Sequence, residues 1–158
     1  LLGKALKQVH HCKYCNTFCE EELCDLCQDK ERDQSVLMVV QMPLDVQAIE
    51  AANCYKGLYF VLMGGVQPLL NKDLNHIALQ QLKHRLQEKN LKEVIIGTNF
   101  NAEGETTAFI LQELLKLYPV VVTRLAHGIP LGGELEYVDS GTIAQSFYQR
   151  NKVKGDKI

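Results

Sequence analysis

The sequence predicts an α/β protein: a small cysteine-rich segment, then a parallel sheet of about four strands flanked by helices, then a C-terminal helix. Three observations carry that prediction. Four short apolar runs, VLMVVQ (36–41), GLYFVLMGG (57–65), KEVIIGTNF (92–100) and PVVVTRLA (119–126), have the length and branching of strands buried on both faces. Between them lie segments with helical spacing of apolar residues, and strands alternating with helices close into a parallel sheet. Ahead of all these, two CxxC pairs fall within residues 12–27. The chain has 158 residues, 46% of them apolar, enough for one main domain with a real core and a small satellite. A net charge of −2 excludes a uniformly basic coat for nucleic acid but leaves room for a local basic surface.

In chain order, LLGKALKQVHH places Leu2, Ala5, Leu6 and Val9 at helical spacing. A chain that opens inside an amphipathic helix, without Met, reads as a truncated or engineered fragment, with residues 1–11 a helical remnant. After the cysteines, DKERD is a charged bridge. PLDVQAIEAANC (43–54) is the first sheet helix, with Val46, Ile49 and Ala52 on one face and Pro43 tolerated in its first turn. The second strand ends in glycines, and a loop containing Pro68 follows. The helix over 75–90 carries the stripe Ile77, Leu79, Leu82 and Leu86, with Lys83 and Arg85 off it. EGETTAFILQELLKLY (103–118) is the third sheet helix, and TIAQSFYQR (142–150) the last helix. No stretch approaches the roughly 18–20 apolar residues of a membrane span, and no signal peptide opens the chain, so a cytoplasmic protein is expected.

Cys12, Cys15, Cys24 and Cys27 form CKYC…CDLC. A CxxC turn lets two thiolates bind one metal, and two such turns complete a tetrahedral zinc site. The spacing therefore predicts one structural zinc per chain, closed to catalysis because all four ligands come from the protein. So short a loop has little core of its own, and metal binding supplies its folding energy. Disulfides are disfavoured in a cytosolic chain, and a redox CxxC is disfavoured by the second pair nearby. Cys19 is the rival ligand, spaced awkwardly from Cys15. Cys54 reads as a buried small hydrophobe in the first sheet helix. His10 and His11, next to the first pair, could substitute as ligands but are expected at a helix end, and His76, His84 and His127 share no ligand spacing.

TNFNAEGE (98–105) follows the third strand, where an open α/β sheet places its chemistry. Its alternating Asn99, Asn101, Glu103 and Glu105 look like a divalent-metal site with half the charge missing. Glu103 and Glu105 also open a helix, where the macrodipole favours negative charge. Gly104 between them permits close approach or unusual backbone geometry.

Five blocks in order, the four-cysteine segment, RDQSVLMVVQMPLDVQAIE, YKGLYFVLMGGVQPL, VIIGTNFNAEGETTA and TRLAHGIPLGGELEYVD, resemble the bacterial RecR family of recombination mediators over about residues 1–150. The resemblance implies a zinc finger with four cysteine ligands over 12–27, a Toprim domain over 35–130, and a C-terminal segment and helix over 131–158. It also implies an N-terminal helix-hairpin-helix segment that this chain lacks, so weak DNA binding and incomplete assembly are expected here. In catalytic Toprim enzymes an acid closes the first strand and a DxDxEGE-like run follows the third, holding Mg²⁺. Here Gln41 stands for the first acid and Asn99 and Asn101 for the two aspartates, leaving only Glu103 and Glu105. That is a degenerate acidic site, kept either as a partner surface or simply to start a helix. The family's ELEYVD segment, here with Glu134, Glu136 and Asp139, has been likened to a Walker-B-like strand. No GxxxxGK[ST] accompanies it, and GIPLGG reads as a glycine turn leading to an edge strand or subunit contact.

The function expected from this resemblance is non-enzymatic: a ring- or clamp-forming homo-oligomer, dimer or tetramer. With RecO and RecF it helps load recombinase onto single-stranded DNA in repair. Lys4, Lys7, Lys13, Lys30, Arg32, Lys83 and Arg85 are candidate DNA contacts, each read more plainly as a solvated surface charge. The rival is a Mg²⁺-dependent Toprim nuclease or primase-like enzyme using Glu103 and Glu105. A third reading is a zinc-ribbon interaction module with no DNA role.

Overall fold

The computed structural model of the protein describes residues 9–65, 76–126 and 128–153. The expected N-terminal helix with Leu2, Lys4, Ala5, Leu6 and Lys7, the Pro68 loop, His127, residues 154–158, and the side chains of His76 and Ile77 lie outside the described residues. Two compact units divide the chain, Leu1–Arg124 and Leu125–Ile158. Among the described residues no helix is long and apolar enough to cross a membrane.

The first unit begins with an antiparallel pair, β1 (His10–His11) and β2 (Phe18–Cys19), and a one-turn helix, α1 (Asp25–Gln28). The sheet follows: β3 (Asp33–Val40), α2 (Pro43–Ala52), β4 (Gly57–Val61), α3 (His76–Leu86), β5 (Glu93–Ile96), α4 (Ala102–Leu115) and β6 (Val121–Arg124). Its four strands are all parallel in the order β4-β3-β5-β6. β4 and β5 are shorter than their apolar runs, which continue into buried residues just past the strand ends, Leu62 and Thr98; Leu62 N–H still donates to Val40 O at 2.9 Å.

Alternation along the strands sorts the core into two layers. Leu37, Val39, Leu58, Phe60, Val94 and Ile96 face one side, under Ala78, Leu82 and Leu86 of α3 and Ala108, Leu111 and Leu115 of α4. Met38, Val40, Tyr59 and Val61 face the other, under Val46 and Ile49 of α2 and Leu26 of α1. Both faces are covered, which explains why the strands read as continuous apolar runs instead of alternating ones. In α2, Pro43 occupies the first turn and the Asp45 carboxylate accepts from the Met42 N–H at 3.0 Å.

Several expectations are corrected here. Asn53, with φ 51°, ends α2 in the left-handed conformation, so Cys54 lies beyond the helix and is exposed, not a buried hydrophobe. The same early end leaves Ala52 exposed. His10 and His11 are not at a helix end; they form β1, paired with Cys19 and Phe18. Arg85 is not off the buried face of α3: it is 4% exposed, because its charge meets groups from distant parts of the chain.

In the second unit, a turn over Pro130–Gly133 leads to a 3₁₀ turn at Leu135–Tyr137 and then α5 (Ser140–Tyr148). ELEYVD is therefore no strand. Its last residue, Asp139, is the N-cap of α5, accepting from the Thr142 N–H at 3.0 Å and the Thr142 hydroxyl at 2.7 Å.

Candidate functional site

The cysteine centre is built by two turns that face each other. In the first, Cys12 N–H donates to Thr17 O at 2.7 Å and Asn16 N–H to Cys12 O at 2.9 Å, with Asn16 in the left-handed region at φ 66°. The Asn16 N–H bond closes the turn around Cys12 and Cys15, and the left-handed Asn16 carries the chain out of it toward β2. In the second, Cys24 precedes α1 and Cys27 lies within it, joined by Gln28 N–H to Cys24 O at 3.1 Å. The Cys24 N–H donates to Cys12 Sγ at 3.3 Å, the kind of bond that stabilises a thiolate.

All four sulfurs lie within 4.8 Å of one another, with Cys15 Sγ and Cys24 Sγ 3.4 Å apart. A tetrahedral zinc with Zn–S bonds of about 2.3 Å needs sulfurs about 3.8 Å apart, so the residues fit the ion. Electrostatics agree. Donation from Cys15, Cys24 and Cys27 pulls the Cys12 thiol far below its ordinary range. Cys24, opposed by Cys12 but favoured by Cys15 and Cys27, falls to about 7. Cys15 and Cys27 are pushed up, chiefly by the bond each makes to Cys12. So tight a cluster of sulfurs cannot ionise fully on protons alone; a cation at its centre would take their place. Cys19 is outside the cluster, its Sγ donating to Glu21 O at 2.9 Å.

The degenerate acidic residues come together at the carboxyl ends of β3 and β5. These neighbours are where the strand order reverses, since β4 is added on one side and β5 on the other. Gln41, 3% exposed, directly follows β3 and bonds on both sides of its amide. Its Oε1 accepts from the Asn99 N–H at 2.8 Å and its Nε2 donates to Glu103 Oε1 at 3.4 Å. Asn101 caps α4, accepting from the Gly104 N–H at 2.8 Å. Asn99 is exposed and enters through its backbone. A Cβ on Gly104 would lie 1.9 Å from Asn99 O, so the glycine is there for close approach: the first turn of α4 sits directly on the Asn99 peptide.

Sequence reasoning missed Arg124, at the end of β6. Its guanidinium grips Glu105 with two bonds, Nη1 to Oε2 at 2.9 Å and Nη2 to Oε1 at 3.0 Å, and lies 4.9 Å over the Phe100 ring. Nη2 also reaches Thr98 Oγ1 at 3.5 Å, whose hydroxyl donates to Gly104 O at 2.9 Å. The available signal was position alone: Arg124 closes the strand next to the one bearing the motif.

The candidate basic residues scatter. Arg32 is spent inside the unit, donating to Gly57 O at 2.9 Å, paired with Glu50 and lying 5.9 Å from the Tyr59 ring. Arg85 donates to Tyr14 O at 2.5 Å, lies 4.9 Å over the Tyr14 ring and approaches Glu88 at 3.5 Å. Both are structural, because their charge is matched within the unit. Lys13, exposed, pairs with Glu22; Lys30 and Lys83 are exposed.

Models of three protein families match the chain in order: the four-cysteine zinc finger domain of RecR over residues 9–29; the Toprim domain over 35–126; and the RecR C-terminal family over 128–151. A recombination protein RecR of Neisseria meningitidis serogroup C is 57% identical over 153 residues, 97% of this chain and 75% of the relative. One from Neisseria gonorrhoeae is 56% identical, covering 97% and 74%. One from Chromobacterium violaceum is 49% identical over 152 residues, covering 96% and 77%.

Proposed function

The chain belongs to the RecR family of recombination proteins, and on that footing we propose that it is a non-enzymatic mediator of recombinational DNA repair. In this reading it acts with RecO and RecF, as a ring- or clamp-forming dimer or tetramer, to help load recombinase onto single-stranded DNA. Cys12, Cys15, Cys24 and Cys27 hold one structural zinc, and the closed ligand set makes that ion a scaffold. The cation supplies the charge that lets four thiolates coexist; the chain's own part is to aim them.

One observation supports the non-enzymatic reading: both sides of the Gln41 amide, which the family resemblance aligns with the first acid of a Mg²⁺ cluster, are engaged by Asn99 and Glu103. Mg²⁺ needs several hard, charged oxygens in near-octahedral array. Around Gln41 the chain offers an amide, two asparagines and Glu103, while Arg124 answers the charge of Glu105. The partly exposed Glu105–Arg124 pair and the half-buried Glu103 then form a polar surface at the strand ends, available to a partner with basic groups.

The test is a loading assay on single-stranded DNA coated with single-strand-binding protein. With RecO present, the zinc-loaded protein is expected to speed recombinase assembly and to cleave or extend no nucleic acid in Mg²⁺ or Mn²⁺. Divalent-dependent turnover that Glu105→Ala abolishes would establish the Toprim enzyme instead.

A further inference from the structure

Between the first cysteine turn and α3 lies an open cleft of about 420 Å³, lined by Lys13, Tyr14, Gln80, Gln81, His84 and Arg85. Its size falls in the range of about 300–1,000 Å³ in which sites for small ligands or single nucleotide units lie. Among the described residues, six hydrogen-bonding side chains line it and no carboxylate does. Arg85 forms its buried floor, its Nε 3.5 Å from the Glu88 carboxylate, while the buried Gln81 Oε1 has no hydrogen-bond partner among the described residues. A buried acceptor of this kind is costly unless something arrives to satisfy it. Tyr14 is 43% exposed while the Arg85 guanidinium, 4.9 Å away, orients its ring. Lys13 is tied only by a solvent-exposed ion pair to Glu22, which a phosphate can displace at little cost.

We propose that this cleft binds single-stranded DNA, with a base stacked on Tyr14 and the adjoining phosphate against Lys13 and His84. The inference rests on the reading of the chain as a DNA-handling mediator and gives that reading a contact surface. An oriented aromatic ring supplies sequence-tolerant stacking, and a lysine beside it tracks the backbone. The glutamine amides offer donors and acceptors to a base edge without demanding a particular base. An acidic peptide would use the cations but leave the Tyr14 face and the amides idle.

The test measures fluorescence anisotropy of a labelled oligo-dT with the zinc-loaded chain at low salt. Tyr14→Ala keeps the backbone carbonyl that Arg85 binds and is expected to weaken binding about tenfold. Lys13→Gln is expected to lower the salt slope by about one. Lys116→Gln, at the exposed C-cap of α4, serves as the control and should change nothing. Amide shifts on adding oligo-dT to the parent protein, expected at residues 13–15 and 80–85, give a readout independent of any variant. If the parent binds oligo-dT while shifts and variants leave the cleft untouched, the cleft is overturned and the mediator reading stands. If the parent binds no DNA at any salt, both fall. Displacement by inorganic phosphate at equal charge, with Tyr14→Ala silent, would reduce the cleft to an anion site and overturn the stacking.

Discussion

The side chain at position 41 decides what the strand ends can do, and its partners allow that to be tested. The amide presents an acceptor to the Asn99 N–H and a donor to Glu103. A glutamate there keeps the first bond and turns the second into two carboxylates facing each other at about the same separation. Gln41→Glu is therefore expected to cost about 2 kcal/mol at neutral pH, since two such acids disfavour joint ionisation by one to two pKa units. Repulsion raises the folded-state pKa of the pair above the unfolded value, so the deficit should shrink as pH falls through that raised value. Millimolar Mg²⁺ should also shrink it. Urea unfolding at neutral pH, at pH 4.5 and with Mg²⁺ reads all three; a variant as stable as the parent at neutral pH would show that Gln41 and Glu103 do not share a site. Gln41, Asn99, Asn101, Glu103 and Glu105 could be singled out because each lies at or just beyond the end of an apolar strand run in the sequence. Arg124 was not, since nothing local says that the end of β6 will stand beside Glu105.

Helix ends and helix faces divide in the same way. The core stripe of α3 follows the 3.6-residue period at Leu82 and Leu86, and the sequence places it well. Arg85 breaks the rule because its partner, Tyr14, is 71 residues away and compensates a buried guanidinium that periodicity would put in water. Cys54 was misplaced for a local reason: Asn53 accepts a left-handed conformation more readily than most residues, and the helix stops there. α5 depends on its cap in the opposite sense. Only nine residues long, it is too short to hold by itself, and all its residues are at least partly exposed. Bonds from Thr142 hold the Asp139 carboxyl below its usual range. A lowered folded pKa means the cap stabilises above the ordinary carboxylate pKa and is lost as pH falls through the lowered one. Protection factors across Ser140–Tyr148, corrected for the intrinsic pH dependence of exchange, should accordingly fall in acid for the parent protein. In Asp139→Ala they should be low at every pH, and Asp139→Asn should restore protection without the acid step. Equal protection in the parent and Asp139→Ala would remove the cap from the account of this helix.

The finger and the sheet form one compact unit, and three contacts carry the connection. Val61 N–H donates to Cys15 O at 2.7 Å, Asn16 Nδ2 donates to Val61 O at 2.9 Å, and Arg85 holds Tyr14 O at 2.5 Å. The first two fall on Val61, the last residue of β4, so the first cysteine turn covers the end of an otherwise open sheet edge. Leu26 adds an apolar contact beneath the α2 layer. The finger's own buried cluster is Cys12, Cys15 and Cys24, with Leu23 and Leu26 packed against it, far too little to fold unaided. With the proposed structural zinc in place, binding energy of about 10–16 kcal/mol would stabilise both the finger and the edge it covers. Cys12→Ser or Cys27→Ser should release the metal and lower the melting temperature of the first unit by about 10 °C or more, about 2 kcal/mol of coupled stability at roughly 4–8 °C per kcal/mol. Hydrogen exchange should rise first at Val61 and Leu62, on the covered edge, and last at Val94 and Ile96 in the central β5. Cys19→Ser is the control and should keep its zinc, because that thiol donates to Glu21 O and is not one of the four mutually close sulfurs. One zinc per chain surviving in both Cys12→Ser and Cys27→Ser would refute the ligand set. Metal loss with uniform exchange across β4 and β5 would keep the ligands but deny that the finger guards the edge.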